Sequence, residues 1–165
     1  MPCPVCDHND LSVQALLSRL DDLDTIITLS CDFAERVVGQ AQDPSEAARW
    51  LAIAHKWRDN PNEVRVVTEA ARAWSPKTAA RQGREAWAAG NTMLWATAAA
   101  GMAGTAGASA RALEKTAKYA ALATLDEAAE GKWQLAHARK LACICNPPMP
   151  PEFFESRSRN SSLAS

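Results

Sequence analysis

Asp43-Pro44, Asn60-Pro61 and Ser75-Pro76 each place a cap-forming residue directly before a proline, and each opens a stretch rich in Ala, Arg, Glu and Trp. The short polar side chain accepts a hydrogen bond from an orphan N–H of the first helical turn. Proline suits the first helical position, where an N–H would have no partner anyway. Each dipeptide therefore predicts a helix start. Their spacings of 17 and 15 residues leave room for helices of about three to four turns with almost no loop between them. The pattern predicts an all-α fold, a compact antiparallel bundle of about seven or eight helices.

Size and charge narrow the class further. A chain of 165 residues is near the usual size of one domain. Residues 1–145 are expected to form that single helical domain. Pro147, Pro148, Pro150 and Pro151 stop the last helix, and residues 146–165 read as a Pro/Ser-rich disordered tail. A formal charge of −1 lacks the basic footprint of a phosphate-tracking protein, so no nucleic-acid partner is expected. About a fifth of the chain is alanine, and six of its ten aromatic residues are Trp. That composition suits closely approaching helices with a few large wedges between them, and strands are not expected.

The opening MPCPVCDHND has no positively charged region followed by an apolar run, so no secretory signal is expected and the reducing cytoplasm is the default location. Five cysteines, an odd number, argue against a disulfide framework. The 25 residues from Ala86 to Ala110 carry no charge, long enough by count to cross a bilayer. Ala, Gly, Thr, Ser and Asn dominate them, with only Trp87, Met93, Leu94, Trp95 and Met102 as large apolar groups. Such residues give little insertion energy, and the reading is a central helix surrounded by its neighbours, with no membrane partner. Gly101, Gly104 and Gly107 either let another backbone approach or break the helix near Gly104 to Gly107.

A pass along the chain places the elements. Asn9 or Asp10 caps a short helix through Leu20, with Leu11, Leu16, Leu17 and Leu20 on its apolar side. Asp24 caps a second to about Gln42, in which Ile27, Cys31, Ala34 and Val38 form a core stripe widened by Ile26, Phe33 and Val37. Asp32 and Arg36 on it read as a solvated i, i+4 pair. The third helix, Pro44 to about Asp59, carries Ala47, Trp50, Ala54 and Trp57 on one face, a Trp stripe read as core. A fourth runs Pro61 to Trp74, with Arg65, Glu69 and Arg72 as an outward ladder. A fifth runs from Pro76 through Gly83 to Gly90, where Gly90-Asn91 offers a stop and restart. After the small-residue helix, a long one from about Ser109 to Glu130 turns Leu113, Ala117 and Leu125 inward and ends at Gly131. Lys132 to Cys145 closes the domain.

The chemical candidate lies at the two ends. Cys3-Pro-Val-Cys6, with His8 nearby, is a C-x-x-C turn of the kind that wraps a tetrahedral zinc, and Cys143-Ile-Cys145 supplies two more thiolates. Cys3, Cys6, Cys143 and Cys145 could hold one structural zinc with every position filled, stapling the N-terminus to the last helix. Reduced, buried thiols without a ligand are the competing reading. The remaining polar residues assemble no catalytic set from spacing alone. His55 and His137 read as ordinary helix residues, and Asp126, Glu127 and Glu130 as solvated carboxylates near a helix end. The glycines lie in an Ala-rich helix with no preceding strand and no following Lys, which excludes a phosphate loop.

The run Cys31-Asp-Phe-Ala-Glu-Arg-Val-Val38, then Glu69-Ala-Ala-Arg-Ala-Trp74, then the Ala-rich region from Ala79 to Ala123 with Lys118-Tyr119-Ala120 resembles the Ala-rich helical immunity proteins of bacterial polymorphic toxin systems. The resemblance spans about half to two thirds of the chain. It implies a cytoplasmic all-helical protein that neutralises a toxin by binding it, without catalysis. Members of that family carry histidines in the region matching Thr97 to Ala108, where this chain has none, so no function tied to those histidines transfers. Two readings of function follow: a protein-binding module whose partner is a toxin, or a structural or assembly protein of bacterial or phage origin, zinc-stapled and self-associating as a homo-oligomer. An enzyme is the third reading, and it would need His55 or His137 to converge with a carboxylate in a pocket.

Overall fold

A computed structural model of the chain describes residues 12–60, 83–101 and 106–142. Six α-helices form there, α1 (Val13–Leu17), α2 (Leu23–Glu35), α3 (Pro44–Asp59), α4 (Arg84–Gly101), α5 (Ala106–Leu122) and α6 (Glu127–Ala142), with a 3-10 turn at Val38–Gln40 and no strand among the described residues. The all-helical class agrees with the expectation. Several expectations lie outside the described residues: the cysteines Cys3, Cys6, Cys143 and Cys145 with His8, the caps at Asn9 or Asp10, the helix Pro61 to Trp74, the start at Ser75-Pro76, Gly104, and the tail 146–165.

The helix starts follow their caps. The Asp43 carboxylate accepts from the Glu46 N–H at 3.0 Å and Pro44 opens α3, as the Asp-Pro pair predicts. Ser12 caps α1 through the Ala15 N–H, and α1 ends at Leu17, so the helix expected from Asn9 or Asp10 through Leu20 starts later and stops earlier. Asp22 caps α2, with Asp24 inside the first turn; the expected cap at Asp24 is two residues late. That helix also ends early, at Glu35, and the chain then tightens into the 3-10 turn instead of continuing to Gln42.

Two further boundaries differ from expectation. Gly83 has φ +81°, the left-handed region open to glycine, so it stands outside α4 and does not carry a helix through. From Arg84, α4 runs unbroken across Gly90-Asn91. Asn91 and Thr92 bond back to the carbonyls of Trp87 and Ala88, and the segment from Ala88 to Met93 is buried, so packing overrides the local stop signal. The expected helix from Ser109 to Glu130 is in fact cut at Leu122. Thr124 donates to the Ala121 carbonyl, and Asp126 accepts from the Ala129 N–H to start α6, which carries Glu130 and Gly131 within it. Leu125, expected inward, is 96 % exposed in this turn.

The helices form two layers. Among the described residues α4 and α5 make the most extensive contact, and the Ser109 hydroxyl near the start of α5 meets the Ala99 carbonyl near the end of α4. α2 lies across both, with α3 beside it on α4 and α6 beside it on α5; α1 packs on α5 and α6. The core comprises Phe33, Ile26 and Leu29 of α2, Leu16 and Leu17 of α1, Met93 of α4 and Leu113 of α5, all fully buried, filled out by alanines such as Ala88, Ala96 and Ala117. Trp57 joins this core, and Trp50 packs half-buried against it, as the stripe predicts. Burying these apolar surfaces drives the assembly. The buried hydroxyls of Ser30, Thr92, Thr97 and Thr116 each donate to the carbonyl four residues earlier, so they enter the core without loss. Among the described residues, no helix is long and apolar enough to cross a membrane.

Candidate functional site

The chemically equipped surface is the outer side of α2. α3 and α6 each pack on α2, and the polar side of α2 reaches both. Ile26, Ile27, Leu29, Ser30, Cys31, Phe33 and Ala34 are all buried. The helical repeat therefore leaves Asp32, Glu35 and Arg36 together on the outer side. All three reach a partner on a flanking helix.

Toward α6, the Asp32 Oδ2 lies 2.7 Å from His137 Nε2. A carboxylate only accepts, so the imidazole donates and Nε2 carries the proton. One turn on, the Arg36 fork closes on Glu130, with Nε 3.1 Å from each carboxylate oxygen and Nη2 3.0 Å from Oε2. The Glu130 side chain is 3 % exposed and that of Arg36 42 %. Trp133 fills the space between the two pairs: the Arg36 guanidinium stands 3.8 Å from its ring centroid. His137 stacks on Trp133 at 4.8 Å and 12°, and Phe33 meets it edge-on at 5.9 Å. Glu130, Trp133 and His137 share one face of α6 through their i, i+3, i+7 spacing. The pairs 32 with 137 and 36 with 130 make α6 antiparallel to α2. The expected Asp32–Arg36 surface pair is therefore corrected, since both side chains find closer partners across the helix interface. Glu130, expected to be solvated, is a buried ion-pair member, whereas Glu127 stays at the surface with Arg84.

Toward α3, Glu35 Oε1 lies 2.7 Å from His55 Nε2, and Arg58 Nε donates to Asp59 Oδ1 at 2.9 Å. That bond holds the Asp59 carboxyl below the usual range and the Arg58 guanidinium above it. Beneath this surface, Cys31 is fully buried. Burial pushes its thiol up to about 12; the nearby Arg58 opposes the rise, and the carboxylates of Asp32, Glu35 and Asp59 add to it.

Both histidines, expected to be ordinary helix residues, thus sit against carboxylates, which is the carboxylate half of what an enzyme would need; the pairs lie at helix interfaces. Two imidazoles held by carboxylates are the base-and-orienter part of an acid–base apparatus. Of the two buried nucleophile-type side chains of α2 beneath this surface, Cys31 is held neutral by burial, and the Ser30 hydroxyl donates to the Ile26 carbonyl. Among the described residues, no three His, Cys, Asp or Glu side chains group as metal ligands. The terminal thiols of Cys3, Cys6, Cys143 and Cys145 lie outside the described residues, so the proposed zinc set has no geometry here. The pairings themselves span 94 and 105 residues of sequence, and no local spacing could have signalled them.

Comparison with known proteins finds no family model, curated protein or solved structure that matches the chain.

Proposed function

We propose that the chain is a non-catalytic protein-binding module, an immunity protein that neutralises a toxin by binding it in the cytoplasm. The observation that supports this reading most is the use made of the reactive side chains. His137 joins α6 to Asp32, His55 joins α3 to Glu35, and Cys31 is buried and neutral, so these groups serve packing and leave recognition to the surface. Arg is a residue type that anchors protein interfaces, and Arg36, its side chain 42 % exposed, offers one on the α2 surface.

The test is direct binding between the purified chain and the product of a toxin gene adjacent to its own. A stable complex that also suppresses toxin activity supports the proposal. Absence of both binding and protection for every adjacent toxin overturns it. Native mass spectrometry of chain purified without chelator separates this reading from the assembly one. A homo-oligomer carrying one zinc per chain, lost in Cys3→Ser or Cys143→Ser, would favour the zinc-stapled assembly protein.

A further inference from the structure

We draw no further inference here: the strongest candidate, the polar outer surface of α2 on which His137 and His55 close against Asp32 and Glu35, belongs to the site already described, and nothing in the structure shows what covers it.

Discussion

The α4–α5 and α2–α6 interfaces join helices by opposite means. α4 and α5, which pack extensively on one another, bury mostly small residues: Ala88, Ala89, Ala96, Ala99 and Ala100 of α4 and Ala110, Ala117 and Ala120 of α5 are all buried. The Ser109 hydroxyl crosses to the Ala99 carbonyl at 2.9 Å. Close approach and dispersion hold such a contact, and neither depends on charge. Between α2 and α6 the contact is a column of ionic and aromatic groups, Asp32, His137, Trp133, Arg36 and Glu130. Its energy rests on pairs that are costly when broken, so single substitutions should hurt α2–α6 through charge and α4–α5 through volume.

The largest effect is expected at Arg36. Arg36→Met leaves Glu130 buried without its fork and should cost about 3 kcal/mol, at the lower end for a broken buried pair because Arg36 is itself part-solvated. Urea denaturation measures it, and an unchanged midpoint would break the contrast. Next, Ala96→Leu inserts methylenes at a fully buried position of α4 and should cost about 1–3 kcal/mol by overpacking. The loss should be the same in low and high salt, and a salt-dependent loss would show that charge also governs this layer. Smaller still, Asp32→Asn weakens the bond to the half-buried His137 and should cost about 1 kcal/mol, read as a lowered midpoint.

The smallest effect at neutral pH belongs to Cys31. Its thiol titrates near 12 when folded against an ordinary 9.0. Between those values the unfolded chain has released the proton and the folded chain has kept it, so stability falls as pH rises through that window and is unaffected below it. Cys31→Ala should flatten this part of the alkaline decline relative to the parent. Equal declines in both proteins would mean that the thiol is not held neutral.

The same contrast explains what could be read from the chain. The start of α3 was legible because Asp43-Pro44 combines a cap with a proline at the first helical position, and its Trp50 and Trp57, two turns apart, fall on one face. The α5–α6 turn was missed because neither Gly nor Pro marks it. Its signal is the Asp126 cap, while Gly131, a plausible terminator, is tolerated inside α6. At Gly90-Asn91 the opposite happened, and burial kept a helix going through a local stop. The alanine-rich layer followed from composition, since small residues announce close approach wherever they fall. The polar column did not, because which acid meets which base depends on the register of α6 against α2, and the groups that meet there, Phe33 and Trp133 among them, lie far apart in sequence.

The claim that the α2 surface is a structural clasp is tested most directly by a double-mutant cycle on Arg36 and Glu130, combining Arg36→Met with Glu130→Met and measuring unfolding free energies of all four proteins. A clasp requires the double variant to recover much of the stability lost by Arg36→Met, with a coupling of about 2 kcal/mol. Additive losses with no coupling would contradict it and return both side chains to the solvated surface.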